Sequence, residues 1–178
     1  MVDLVVLQSF SYIAGAISVV LGVIYYAINL REQRRNGRIT LANSLTQRME
    51  TYDFHRTYAD LLYYKWKDYD DYEKKYGSDN NIDSYAKRLS MWRFYNGLGN
   101  MLKNNVIDAE VLYDHGGDGA IMLWAKFELI IKTTRKVYTL GDWLEGFEYL
   151  ADEMLKTAKR RNPSVKTEDT FLKYVPEK

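Results

Sequence analysis

The sequence of 178 residues contains no cysteine and only 2 prolines. The lack of cysteine excludes disulfides, thiolate metal sites, iron–sulfur clusters and a cysteine nucleophile. Prolines and the 11 glycines are too few to interrupt long helices often, and aromatic residues make up 15% of the chain. Such a composition suits helices that pack through amphipathic faces. We therefore predict an all-α fold.

An excess of one charge is also missing, because 25 Lys and Arg residues face 24 Asp and Glu residues. The chain therefore has no overall field that would attract a nucleic acid. Histidine is scarce as well: only His55 and His115 are present, and neither has a histidine or carboxylate four residues later. A metal site on a helix would need such a pair. We predict no nucleic-acid partner, no metal site, no cofactor and no catalytic constellation.

Charged residues are absent between Asp3 and Arg31. The stretch from Phe10 to Ile28 alone has the roughly 20 apolar residues that cross a bilayer core. Such a segment must be helical in lipid, because its backbone can hydrogen-bond only to itself. It lacks the basic start and the small-residue cleavage site of a signal peptide. We therefore predict an uncleaved transmembrane helix from Leu4 to Leu30, so that the bilayer is one partner of the chain.

Four arginines follow the apolar stretch within about two helical turns: Arg31, Arg34, Arg35 and Arg38. Positive flanks stay on the cytosolic side, so this cluster predicts a single-pass protein of the cell membrane with its N-terminus outside. The C-terminal domain would then be cytosolic. The arginines either serve only to set this topology or also bind anionic lipid headgroups.

Small residues line one face of the apolar stretch. Ala14, Ser18 and Gly22 recur at every fourth position and would let a second helix approach closely. This pattern favours a homo-oligomer or a partner membrane protein. The alternative is that small residues are simply common in transmembrane helices.

Apolar residues recur every three or four positions in the rest of the chain, which indicates amphipathic helices. We predict an anchor at residues 1–30, a cytosolic bundle of about four helices at 31–162 and a mobile tail at 163–178. The anchor helix would continue to about Tyr64–Asp68, and Tyr69–Asn81 would be a loop. Further helices are predicted from Asp83 to about Lys103, briefly after Asp108, from Ala120 to Tyr138 and from Asp142 onward.

The glycine-rich segment DHGGDG, from Asp114 to Gly119, invites a comparison with phosphate-binding and calcium-binding loops. It lacks the preceding strand, the Gly-Lys-Ser/Thr ending and the final glutamate that those sites need. We predict a joint between two helices that needs a positive φ. A hydrolase site would require Asp114, His115 and Asp118 to converge in a cleft.

The sequence from Trp92 onward resembles an uncharacterised domain-of-unknown-function family of prokaryotic proteins with one membrane span and a cytosolic helical domain. The matching positions are Phe94, Gly97, Leu98, Leu102, Val106-Ile107-Asp108, Leu112-Tyr113 and Trp124. These are packing and capping residues. The resemblance therefore implies a helical fold and membrane attachment, but it implies no activity.

Two functions are compatible with these features. The first is a non-enzymatic, membrane-anchored scaffold or accessory subunit of a membrane protein complex. The second is a membrane-tethered sensor or effector that holds a small ligand in its helical domain. Trp92, Trp124 and Trp143 would then line the pocket, whereas their ordinary role is core packing.

Overall fold

The computed structural model describes residues 4–174, without the side chains of residues 4–7, Arg34, Glu168 and Asp169. The first three residues of the predicted anchor and the last four of the predicted tail lie outside this range. The described residues form eight helices and no strand, so the all-α prediction is confirmed. The helices are α1 (Leu4–Met49), α2 (Tyr52–Leu62), α3 (Tyr69–Tyr76), α4 (Ile82–Lys103), α5 (Ala109–Asp114), α6 (Gly119–Val137), α7 (Glu145–Arg161) and α8 (Thr167–Phe171).

The chain divides into two compact units, of which the first ends at Leu41 and the second begins at Ala42. The predicted boundary at residue 30 marks a different feature, the end of the apolar run. In the first unit, every described side chain from residue 8 to residue 28 is exposed. The helix over Gln8–Met49 is long and apolar enough to cross a membrane, by its length and composition alone.

The predicted continuation of the first helix to Tyr64–Asp68 is wrong beyond Met49. Thr51 has an extended backbone, and its hydroxyl accepts a hydrogen bond from the Phe54 amide at 3.3 Å. The same hydroxyl donates to the Arg48 carbonyl at 3.0 Å. Threonine thus caps a new helix at this point and satisfies backbone groups at the end of the old one.

The second unit contains more helices than the predicted four, because short ones occupy supposed loops. The segment after Tyr69 forms α3, since Asp68 accepts a hydrogen bond from the Asp71 amide and caps it. Helix α7 begins three residues later than predicted, because Leu144 has a left-handed φ of 61° that no α-helix allows. Within the predicted tail, Phe171 of α8 is buried. The mobility of residues 163–178 stays a prediction.

Helices α4 and α7 form the centre of the second unit, and they touch backbone to backbone. A Cβ atom placed on Gly99 of α4 would overlap the carbonyl oxygen of Gly146 in α7. Nearby, the amide of Phe147 donates to the side-chain oxygen of Asn96 at 3.2 Å. The Phe147 ring stacks on Tyr95 with 5.4 Å between the ring centres. This crossing fixes where Tyr95 lies in the core.

Aromatic rings surround two buried cations on the side of α4 that meets α3. Arg88 is 5% exposed, bonds to the Tyr72 hydroxyl and lies over the rings of Tyr72 and Trp92. Lys126 of α6 lies 4.5 Å from the centre of the Trp66 ring. Ring faces attract cations when water is excluded. These contacts hold α3 against α4, and they hold the segment before α3 against α6.

The α4–α7 crossing generates a prediction about two glycines of the same helix. We expect Gly99→Ala to lower the free energy of unfolding by at least about 2 kcal/mol, because the new methyl group must push two backbones apart. Gly97→Ala is the matched control, since a Cβ there meets nothing within 4 Å. It should be neutral or stabilise the protein by up to about 1 kcal/mol, because alanine favours helix. Denaturant unfolding followed by circular dichroism measures both changes, and equal effects would contradict the close approach.

Candidate functional site

The second unit contains a cleft of about 410 Å³, beside the joint between α5 and α6. Its walls come from the last turn of α1, from α2 and α4, from the glycine joint and from the start of α6. The lining residues are Thr46, Met49, Glu50, Phe54, His55, Tyr58, Tyr95, Asp114, His115, Gly116, Asp118, Gly119 and Met122. Both histidines of the chain therefore line the same cleft, which their spacing in the sequence does not predict.

Glycines form the wall between α5 and α6 for two different reasons. Gly116 has a φ of +85°, as predicted for this joint, which glycine adopts without steric cost. Gly119 is needed for space instead: an added Cβ would lie 2.9 Å from the hydroxyl oxygen of Tyr95 and 3.4 Å from that of Tyr58. The backbone of the joint thus lies directly against two phenol groups.

Tyr58 and Tyr95 place their hydroxyl groups on this wall. Tyr58 donates a hydrogen bond to the carbonyl oxygen of Gly119 at 2.9 Å, which ties α2 to the start of α6. Burial raises the pKa of both phenols, and the negative charge of Asp118 raises the pKa of each further. Both hydroxyls therefore keep their protons at neutral pH.

An arginine from α7 holds one of the cleft carboxylates. Arg161 pairs with Asp114, and its Nε atom donates to Glu110 at 2.7 Å. The hydrogen bond from Arg161 lowers the pKa of Asp114, because it stabilises the charged form. The negative charge of Asp114 is therefore balanced, whereas Glu50 and Asp118 form no ion pair with any residue that the structure describes.

The histidines have different environments. His115 is half-buried, and its Nδ1 atom lies 2.7 Å from the carbonyl oxygen of Val111. A carbonyl can only accept, so Nδ1 carries the proton and Nε2 is left as an acceptor in the neutral ring. His55 is exposed, and its ring meets Phe54 edge-on at 6.1 Å.

The structure brings Asp114, His115 and Asp118 to one cleft, which the hydrolase hypothesis required. The two aspartates do not hydrogen-bond to the His115 ring as the carboxylate of a catalytic triad does. Asp114 pairs with Arg161 instead, and the Nδ1 atom of His115 bonds to the backbone. The one aliphatic hydroxyl of the lining, on Thr46, donates to its own helix at Ala42. Nucleophilic catalysis needs a hydroxyl bonded to a base, and the described lining residues form no such pair. They offer hydrogen bonds, charge and apolar surface.

Metal coordination needs several ligands around one point. Between residues 4 and 174, no group of three or more His, Asp or Glu side chains is placed to hold a metal ion.

The residues predicted for membrane contacts lie on α1 and are exposed. Ser18 donates back to the Ala14 carbonyl at 2.8 Å, and a Cβ on Gly22 would meet nothing within 4 Å. Arg31, Arg35 and Arg38 are exposed and border a shallow depression together with Ile39. The side chain of Arg34 lies outside the described part.

None of the three candidate tryptophans lines the cleft. Trp92 and Trp124 are buried, and Trp143 meets Trp92 edge-on at 5.7 Å. The idea that they line a ligand pocket is therefore wrong for this cleft. The sequence did not indicate Tyr58 and Tyr95 as lining residues, because they face the glycine joint from distant parts of the chain, 61 positions away in the case of Tyr58 and Gly119.

The sequence matches the family model of a domain of unknown function, DUF4760, over residues 14–154. The match includes every residue on which the expected resemblance rests, from Phe94 to Trp124, so the resemblance to a family of unknown function is confirmed. No curated protein and no solved structure matches the chain. Because the family match spans most of the sequence, the chain belongs to the DUF4760 family.

Proposed function

We propose that the protein is a membrane-attached, non-enzymatic sensor or effector that binds a small ligand in the cleft of its helical domain. The observation that carries this proposal is the cleft itself. Its volume of about 410 Å³ falls within the range of small-molecule sites. Of the two functions that the sequence allowed, this is the one for which the geometry of the second unit supplies a site.

The lining has the composition that ligand sites share. Met49, Phe54 and Met122 provide apolar surface, which supplies most of the binding free energy in such sites. Tyr58 and Tyr95 provide a few fixed polar groups, which would orient a ligand. The two phenols come from different helices, so an occupant would contact α2, α4 and the glycine joint at once.

A pair of tryptophan substitutions on α2 tests this proposal. His55 is exposed and lines the cleft, so His55→Trp should fill the opening without disturbing the core. Tyr52 is 76% exposed on the same helix and does not line the cleft, so Tyr52→Trp is the matched control. The probe is the small-molecule fraction of a cell extract, added to the full chain in detergent.

The readouts are the shift in melting temperature and the adducts seen by native mass spectrometry. We expect stabilisation of the wild type and of Tyr52→Trp, because a ligand that binds only the folded state raises its stability. We expect His55→Trp to lose that stabilisation and the adduct. An adduct that His55→Trp keeps would place the ligand elsewhere, and a complete lack of adducts would contradict a ligand-binding function.

Membrane attachment through α1 is part of the same proposal. The uninterrupted exposure of apolar side chains from residue 8 to residue 28 supports it, because such a surface is unfavourable in water. The arginines at 31, 34, 35 and 38 favour a cytosolic second unit and an outside N-terminus. Each would add about 1 kcal/mol of attraction to anionic headgroups. The resemblance found in the sequence implies that this membrane is the cell membrane of a prokaryote.

A second candidate function is an accessory subunit or scaffold that assembles through α1. The open strip of Ala14, Ser18 and Gly22 favours it, because small residues let helix backbones approach and pack in lipid. The occupant of this strip would be a second copy of the chain or a partner membrane protein. This function and ligand binding are compatible in one molecule.

Because the chain has no cysteine, single cysteines report on membrane topology and contacts without background. In intact cells, a membrane-impermeant maleimide should label Val2→Cys and should leave Ser78→Cys unlabelled until the cells are broken. Labelling of Ser78→Cys in intact cells would reverse the proposed topology.

Oxidation of the Ser18→Cys variant in native membranes should give a disulfide-linked dimer or a partner adduct. Val19→Cys, one position along the helix and facing another direction, should give much less of either. Equal yields from the two positions would contradict a specific contact through the small-residue strip.

A further inference from the structure

We infer that the ligand of the cleft is an organic cation, in which an ammonium group meets tyrosine rings and unpaired carboxylates. This inference rests on the proposed ligand-binding function and names the chemical class of the ligand. It follows from three features of the cleft: the net charge of its lining, the unused acceptor oxygens of two phenols, and the aromatic and apolar surface of its walls.

The balance of charge in the cleft is negative. Its lining contains Glu50, Asp114 and Asp118 but neither lysine nor arginine. Arg161 compensates Asp114 from outside the lining, while Glu50 and Asp118 have no ion-pair partner in the described chain. Asp118 is half-buried, so its charge is screened less than that of a fully exposed carboxylate. The site thus repels anions and attracts a positive group.

The hydroxyl of Tyr95 faces the cleft without a partner. Tyr95 is 1% exposed and lines the cleft, and its hydroxyl forms no hydrogen bond with the described chain. Its oxygen is reached from the cleft, so it is available to an occupant of the cleft. The Tyr58 hydroxyl uses its proton on Gly119, so its oxygen can still accept. Two phenol oxygens and two carboxylates therefore face the cleft with unused acceptor capacity, and the negative charge of the carboxylates stabilises a cation placed beside them.

The walls favour an organic cation over a metal ion. The described part of the chain has no cluster of three metal ligands, and a bare ion would leave the apolar walls uncovered. Phe54, Tyr58 and Tyr95 present aromatic rings, and Met49 and Met122 present flexible thioethers. Ring faces bind ammonium groups, and methionine adapts to the alkyl part of a ligand. An alkylammonium compound uses both kinds of surface.

Isothermal titration of the full chain in nanodiscs with choline tests the inference. The matched probe is 3,3-dimethylbutan-1-ol, which has the shape of choline but carries a carbon in place of the charged nitrogen. We expect choline to bind at least about tenfold more tightly than the neutral alcohol, since the charge adds cation–π and carboxylate attraction. Equal affinities, or tighter binding of the alcohol, would overturn the inference.

The variant Asp118→Asn removes one charge at nearly constant shape. It caps no helix through its side chain, so the fold should be kept, and circular dichroism checks this. We expect choline to bind about tenfold more weakly to this variant, while Asp79→Asn, an exposed loop position outside the cleft, should have no effect. Glu50→Gln provides a second charge removal in the cleft. Unchanged choline binding in both cleft variants would overturn the inference.

Two lipid compositions distinguish the sources of the cation. Choline binding that is weaker in phosphatidylcholine than in phosphatidylglycerol nanodiscs would support a lipid headgroup as the occupant. Equal binding in both would support a free metabolite of the same chemistry.

Different results contradict the organic-cation inference and the proposed ligand-binding function. A neutral or anionic compound whose binding His55→Trp abolishes would overturn only the organic cation, whereas the lack of any ligand sensitive to His55→Trp would overturn both.

Discussion

The contact between Gly99 of α4 and Gly146 of α7 is the constraint on which the helical domain depends. Without side chains at the crossing, the two backbones approach closely, and the residues on either side pack at short range. Tyr95 lies one turn before Gly99 on the same face, so the crossing presses it against Phe147 on one side. Its hydroxyl reaches the glycine joint on the other side, beside Gly119. The wall of the cleft is thus set by the packing of two core helices.

The cleft joins parts of the chain that have different roles. α2 contributes Tyr58, whose hydrogen bond to Gly119 holds the joint in place, and the joint contributes Asp118, whose charge faces both phenols. Arg161 from α7 neutralises Asp114 at the edge. The arrangement supplies acceptors, rings and net negative charge, but its side chains are not ordered as a nucleophile with a base. The proposed binding of a ligand rests on these properties.

The helices could be predicted where periodicity is strong and caps are local. Gly116 and the apolar stripe of α6 indicate the joint and the helix after it. Asp108 precedes α5 as predicted, although its side chain makes no capping hydrogen bond there. The break at Thr51 was missed, because the apolar period continues across it and only the cap marks it. Helix α3 was missed because eight residues of mixed tyrosine and charge look like a loop. No sequence pattern predicts the left-handed φ of Leu144, because tertiary packing holds this leucine in that conformation.

The site itself could be predicted only in part. The glycine-rich joint stood out, and Asp114, His115 and Asp118 were named as residues that a cleft would have to gather. Gly119 was assigned to turn chemistry along with its neighbours, whereas its role is to leave room for Tyr58 and Tyr95. That role depends on contacts across 61 positions of sequence for Tyr58, which no local pattern records. Trp92 and Trp124, which the sensor hypothesis places in a pocket, are buried in the core instead, which is their ordinary role.

The central claim is that the cleft beside the glycine joint binds an organic cation, and the methionine methyl groups report on it directly. Met49 and Met122 line the cleft, whereas Met91 and Met154 are buried in the core. Methyl-resolved NMR of the full chain, labelled at methionine and titrated with choline, separates the two pairs. The account predicts saturable shifts at Met49 and Met122 with little change at Met91 and Met154. Shifts confined to other methyl groups, or no saturable shift at all, would contradict it.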